Sequence, residues 1–361
     1  MSNVKQRHIF IYPITAQYEA LQEALQKMSN DNPGRSIITI SESFFMGTSS
    51  LFLKAPGIKP KANISLGIVP MCITSKDTAP FGPGIPPSGN CEQNIAANQA
   101  AQEDIMGETQ KIYAELLTNL GITAKIPYFF DTPYLLADRF LQMCIPSVEY
   151  PRSDAPSTIR FTGGLPKRHR DPYTNAPGWW DTDILGNTTK KIVAVSQGTV
   201  QLDYADLIIP TLQALASHPD IIVVAALGSK GATLPEGTVI PENARVADYI
   251  PFDELLPHCA VFVTNGGYGA VQHAIANATP LVIAGETEDK PETAARAEWA
   301  GLAINLKTKN PSEEVVAKAV KNIINDTKFK KRALELQAEM KSYDPMKILL
   351  ETIEELDAGG K

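Results

Sequence analysis

The sequence predicts an α/β fold and, over residues 191–306, a doubly wound parallel sheet. Three observations carry this. The runs 192–195, 221–225 and 260–263 are short and apolar throughout, which suits strands buried on both faces. Helix-patterned stretches, 204–217 and 271–276, lie between and after them, and strands alternating with helices build βαβ units. Two of the runs end in glycine turns, Gln197-Gly198-Thr199 and Asn265-Gly266-Gly267.

The N-terminal half carries the same alternation more loosely. His8-Ile9-Phe10-Ile11-Tyr12-Pro13 reads as a short buried strand. Leu21, Ala24, Leu25 and Met28 form a helical stripe over 17–28, and 35–40 reads as a second strand, completing a first βαβ unit. Residues 62–71 read as a third strand. Four prolines and three glycines within 78–90 make that stretch a loop. Residues 93–120 read as one long helix and 134–143 as another. Irregular, proline-rich sequence follows, and the interdomain linker is placed at 166–190. It divides an N-terminal domain, 1–165, from a C-terminal domain, 191–340. In the latter, 245–247 reads as a short strand and 252–256 as a helical turn. Amphipathic helices follow at 311–325 and 328–341, and 341–361 holds a last helix.

A chain of 361 residues suits two domains, each with its own core. A net charge of −7 and a pI near 5.4 argue against a nucleic-acid partner. The densest basic run, Lys167-Arg168-His169-Arg170, falls in the linker. Cys72, Cys91, Cys144 and Cys259 form no CxxC pair, and His8, His169, His218, His258 and His273 show no ligand spacing, so no metal site is expected. Widely spaced cysteines suit reduced thiols in the cytoplasm. No apolar stretch reaches about 18 residues, so no membrane span is expected.

The chemistry concentrates in Val263-Thr264-Asn265-Gly266-Gly267-Tyr268-Gly269-Ala270. A strand, a glycine turn and an open helix start let the backbone approach a ligand closely. The unpaired N–H groups there favour an anion, here a phosphate or diphosphate. The turn Gly198-Thr199 follows a neighbouring strand and can face the same phosphates. An ordinary βα turn without a ligand would read the same way, so the surrounding order matters.

That order is Tyr249-Ile250-Pro251-Phe252, Leu255-Leu256-Pro257-His258, the Asn-Gly-Gly turn, Thr279-Pro280-Leu281-Val282, and Gly285-Glu286-Thr287-Glu288-Asp289-Lys290. It resembles the donor-sugar signature of the family 1 nucleotide-sugar glycosyltransferases, in its macrolide-type and fungal branch. The resemblance implies the GT-B fold, two Rossmann-like domains facing a cleft, here with the N-terminal acceptor domain shortened. It implies transfer of a hexose, glucose first, from a UDP-sugar to a hydroxyl of a small apolar acceptor, with inversion and with no cofactor beyond the donor. Under it Tyr249 stacks on the uracil and the backbone of Ile250 pairs with the base edge. Asn265 and the N–H groups of Gly266, Gly267, Tyr268, Gly269 and Ala270 hold the diphosphate, with Gly198 and Thr199 beside it. Asp289 and Lys290 hold the sugar hydroxyls. His273 stands where relatives place a ribose-binding Glu.

The sequence departs from the family at the general base. Relatives carry a Gly-His pair after the first strand, and Tyr18 and Glu19 fall about there. Asp131 and Asp138 are present, but nothing places them beside that loop. The catalytic base is therefore unassigned, with Glu19 one candidate. A UDP-sugar-binding protein without efficient transfer is the alternative. A dinucleotide oxidoreductase is disfavoured, because no strand is followed by the three-glycine fingerprint with its distal acid.

Overall fold

The computed structural model describes residues 7–164, 176–198, 201 and 203–359. They form two parallel sheets. The N-terminal sheet holds β1 (Ile38–Glu42), β2 (Ala62–Gly67), β3 (Arg139–Gln142) and β4 (Ile159–Phe161), side by side in chain order. The longest helices beside it are α1 (Ile14–Asp31), α2 (Cys91–Ala100) and α3 (Gly107–Asn119). Successive residues of a strand face opposite ways. Phe140 therefore joins one core layer with Ile14, Tyr113, Leu117 and Phe129, while Leu141 joins another with Ala62 and Ile64.

Three N-terminal expectations are corrected. Residues 8–13 are no strand. Arg7–Ile11 is a helical turn that leads into α1 and buries Ile11 against α3. Tyr18 and Glu19 consequently lie inside α1, with Glu19 on its exposed side. The stretch 134–143 is mostly β3, because one short helical turn, Thr132–Leu136, ends where Ala137 turns extended. β3 lies between β2 and β4, so pairing on both sides outweighs its helical apolar spacing. The long helix of 93–120 is interrupted before Gly107, where a wider turn, Ala101–Ile105, separates α2 from α3.

The C-terminal sheet holds β5 (Lys191–Ser196), β6 (Ile221–Ala226), β7 (Ala244–Ala247), β8 (Cys259–Thr264), β9 (Leu281–Ile283) and β10 (Ala303–Asn305). Its order is β10-β9-β8-β5-β6-β7, the doubly wound arrangement expected. Connecting and covering helices are α4 (Ile208–Ala214), α5 (Tyr268–Ala276), α6 (Lys290–Trp299), α7 (Glu313–Asn325) and α8 (Thr327–Lys341). The two faces are packed separately. Val193, Val195 and Val263 pack with Ile208 and Val316 on one side, and Ala194 and Phe262 with Val271 and Ile275 on the other.

The last helix, α9 (Pro345–Asp357), returns to the N-terminal sheet. Leu356 packs on Ala62, Ile64 and Leu141. Glu355 pairs with both Arg139 and Arg160, and Lys61 with Asp357. The chain's end thereby completes the core of its beginning. Among the described residues no helix is long and apolar enough to cross a membrane.

Candidate active site

After β5 the chain turns to α4 on one face of the C-terminal sheet, and after β8 to α5 on the other. β5 and β8 are neighbours. Their carboxyl ends thus flank a crevice at the point where the strand order reverses, the place where open parallel sheets receive ligands. Gly198, Asn265 to Ala270 and the 285–290 turn all follow strands at this edge. Thr199 lies outside the described residues.

The crevice is braced from below. Gln197 is buried, and its Oε1 accepts the N–H groups of Leu207 and Ile208 at the start of α4. Asn265, also buried, donates its amide to the Gln197 carbonyl. Its amide also reaches Gln201 Oε1 at 3.4 Å. The side chain therefore ties the two turns together, and the backbone is left to face the crevice. Gly266 has φ +82, and a Cβ there would meet Ile283 Cγ2 at 2.5 Å. At Gly267 a Cβ would meet nothing within 4 Å. One glycine serves the fold, and the other leaves space in front of the helix. No side chain caps α5, so its first N–H groups and its dipole are directed at that space.

The other residues singled out in the sequence divide clearly. Tyr249 presents a ring 45% exposed just beyond β7, and Ile250 is buried beneath. Tyr268 sends its hydroxyl to Gln142 Nε2, which donates at 3.0 Å, so this side chain joins α5 to the end of β3. Gly269 is exposed on the first turn of α5. His273 Nδ1 lies 3.1 Å from Asp253 Oδ1, further along that helix. Asp289 precedes α6, and burial raises its pKa. Lys290 is itself buried, with its ammonium paired to Glu288.

Across from Asp289 opens a cavity of about 480 Å³. Phe10, Phe44, Met46, Val69, Phe81 and Phe130 are among the apolar side chains of the N-terminal domain that line it, and Glu288 and Asp289 close it from the C-terminal domain. An apolar chamber with a few polar groups at one wall is the usual form of a small-molecule site. Glu42, the last residue of β1, also lines it. Sequence reasoning passed over this residue, because its strand was ended at Ile40 and no paired motif marks it. Its carboxylate pKa is raised by burial, against the lowering effect of the Phe44 N–H, which donates to Oε2 at 2.7 Å.

Glu19, the base candidate of the sequence, lies elsewhere, as do His8, Asp131 and Asp138. Glu19 and His8 are exposed and do not line the cavity. Asp131 accepts the Thr74 N–H at 2.7 Å, and Asp138 accepts that of Asn63 at the amino end of β2. The triplet Asp181-Thr182-Asp183 is no metal arm of the site either. Asp183 pairs with Arg245 at the amino end of β7, on the opposite edge of the sheet. Among the described residues no group of three or more His, Cys, Asp or Glu side chains is placed to hold a metal.

Comparison with known proteins identifies the family and the fold. Residues 211–356 match the erythromycin biosynthesis protein CIII-like C-terminal domain. The chain is 41% identical to UDP-glucosyltransferase A1 of Starmerella bombicola, over 97% of its own length and 74% of that protein's. It is 40% identical to UDP-glucosyltransferase 1 of Beauveria bassiana, covering 95% and 77%. It is 33% identical to 4'-demethylrebeccamycin synthase of Lentzea aerocolonigenes, covering 97% and 79%. Among solved structures, the calicheamicin glycosyltransferase CalG4 superposes with a TM-score of 0.69 at 16% identity, covering 99% of this chain and 81% of that one. The spinosyn rhamnosyltransferase SpnG complexed with thymidine diphosphate gives 0.65 at 17% identity, covering 96% and 81%. The chain belongs to the family 1 nucleotide-sugar glycosyltransferases of GT-B fold, enzymes that move a sugar from a UDP- or TDP-sugar to a hydroxyl of a small molecule.

Proposed function

We propose that this chain transfers glucose from UDP-glucose to a hydroxyl of a small apolar acceptor, with inversion. One observation carries the reading: the apolar cavity opens directly against Asp289, at the same sheet edge as the open N-terminus of α5. In this arrangement the N–H groups from Gly267 to Ala270 and the turn at Gly198 hold the diphosphate. The exposed ring of Tyr249 stacks on uracil, with Ile250 beside the base edge. Asp289 accepts hydrogen bonds from the sugar hydroxyls, and Lys290 shapes that turn through its pair with Glu288. Asn265 acts through the backbone it positions. The fungal relatives named as UDP-glucosyltransferases support both the nucleotide and the sugar.

Residues 1–165 then supply the acceptor domain, 166–190 the linker, 191–340 the donor domain and 341–361 the helix that crosses back. The four free cysteines, three of them buried, suit a reducing, cytoplasmic compartment.

The deciding experiment is an acceptor screen with UDP-glucose read by mass spectrometry, alongside calorimetric titration with UDP and with NAD. Micromolar UDP binding and a product heavier by one hexose are expected. UDP binding with neither transfer nor donor hydrolysis would leave only the binding-protein alternative. NAD binding in place of UDP would overturn the assignment.

A further inference from the structure

A second chamber lies at the opposite edge of the C-terminal sheet, at the amino ends of β5 and β8. Its volume is about 410 Å³, within the range of small-molecule sites. A strand rises about 3.3 Å per residue, so the six residues of β5 set this chamber ~17 Å from the crevice beyond Ser196. Its ionisable side chains are basic. Lys190 and Lys191 enter at the start of β5, Lys330 from the first turn of α8, and His258 just before β8. No Asp or Glu lines it, in a chain whose net charge is −7. Among the described residues none of the three ammonium groups is paired with a carboxylate. Lys330 Nζ donates to the Ala278 carbonyl at 2.7 Å, which anchors the group and leaves its charge uncompensated. Burial lowers the pKa of Lys330, and an anion beside it would offset that cost. Lys190 is set by its loop: Asn187 Oδ1 accepts the Lys190 N–H at 3.0 Å, and the Asn187 amide donates to the Lys190 carbonyl at 2.8 Å. The rest of the lining is largely apolar, with Ile184, Ile192 and Ile323 all buried. The adjoining cavity shares Asn187, Thr188 and Lys190 and adds Asp183 and Glu242, of which Asp183 is paired with Arg245.

We propose that this chamber is a second ligand site, one that binds a small phosphate monoester with an apolar body. The ammonium groups of Lys190, Lys191 and Lys330 take the phosphate, and the hydroxyls of Thr188 and Thr327, which also line the chamber, donate to it. The isoleucines receive the apolar body. Three cations match a dianion, whereas a lone carboxylate would leave two of them uncompensated. The site is separate from the donor crevice and does not depend on which donor or acceptor the protein uses. A soluble ester and a phospholipid headgroup offer the same chemistry, and an enclosed chamber of this size favours the soluble one.

The test is calorimetric titration of the full chain with phenyl phosphate, in saturating UDP so that the donor crevice is filled. One site per chain is expected, with a dissociation constant below ~1 mM. Inorganic phosphate should bind several-fold more weakly, because it covers no apolar surface, and added salt should weaken both. Lys191→Glu combined with Lys330→Glu should weaken phenyl phosphate by at least ~10-fold, while UDP affinity stays within twofold of wild type. Lys190→Glu, whose side chain makes no hydrogen bond among the described residues, should weaken it in the same direction and decides the matter if the double variant fails to fold. Should the protein bind no UDP, the functional reading falls, and the same titration and variants still test this site. No binding of phenyl phosphate at ~10 mM would overturn the proposal. So would binding that is unchanged in both variants. Flotation with phosphatidylcholine vesicles containing phosphatidic acid separates the sources, and capture on vesicles without binding of phenyl phosphate would also overturn it.

Discussion

Glu292 accepts the backbone N–H of Gly84 on Oε1 at 2.8 Å, although 208 positions of chain separate them. The N–H of Gly82 reaches the same oxygen at 2.8 Å. Oε2 of Glu292 pairs with Arg296, which also meets Glu149 from the other domain. Burial alone would drive Arg296 toward its neutral form, and Glu149 and Glu292 more than offset that. The helix that begins beside Asp289 therefore grips the loop that carries Phe81 into the cavity. The loop at Gly82 and Gly84 and the first turn of α6 are thereby tied together.

Glu292→Ala should release that loop. Removing one partner from a buried ion pair typically costs ~3–5 kcal/mol, so a lower thermal midpoint is expected. The functional signature is an acceptor KM raised at least ~10-fold with UDP affinity little changed. Glu292→Gln keeps an oxygen for the two N–H groups and should recover most of the KM effect. An acceptor KM equal to wild type in Glu292→Ala would refute the coupling.

The two adjacent glycines of the donor turn should respond oppositely. Gly266→Ala places a Cβ against Ile283 at φ +82 and should lower stability. At Gly267 an added Cβ meets no protein atom within 4 Å, so Gly267→Val should fold and fill the space meant for the diphosphate. A loss of at least ~1.4 kcal/mol in UDP binding, tenfold in affinity, is expected. Calorimetry on the folded variant checks it, and unchanged affinity would move the phosphate elsewhere.

Asp289→Ala separates sugar from nucleotide. If Asp289 reads the hexose hydroxyls, UDP-glucose binding weakens while UDP binding stays nearly constant. Competition titrations give both values on one sample, and equal losses would assign Asp289 to the turn's structure alone.

Acid should loosen the C-terminal helix. Hydrogen bonds from Arg160 and Arg139 hold the Glu355 carboxyl down at about 2. The folded protein thus binds this proton less tightly than the unfolded chain, whose Glu titrates near ~4.3. The stabilising contribution is complete above that value and is lost as pH falls toward 2. Amide protection factors along Pro345–Asp357, taken relative to the unfolded chain at the same pH, should fall over that window, and Glu355→Gln should remove that fall. A window unchanged in Glu355→Gln would point to another group.

The central strands β5, β6 and β8 were legible in the sequence because each is an apolar run buried on both faces. A run such as Ile221–Ala226 has few other stable homes. The turn at Asn265-Gly266-Gly267 was legible for a related reason, since a residue at φ +82 that crowds Ile283 favours glycine and leaves it visible. Residues 8–13 and 134–143 could not be read this way. Each is a short apolar stretch whose state depends on what lies beside it. His8 to Tyr12 pairs with no strand and closes onto α3, whereas Arg139–Gln142 is paired on both sides. Glu42 shows the same limit at the site. Its chemistry arises from the cavity around it, and the residues that build that cavity range from Phe10 to Asp289 along the chain. Local pattern determined the strand ends and glycine turns of the C-terminal sheet. Contacts between distant segments, through burial and the electrostatics it creates, decided the acceptor side.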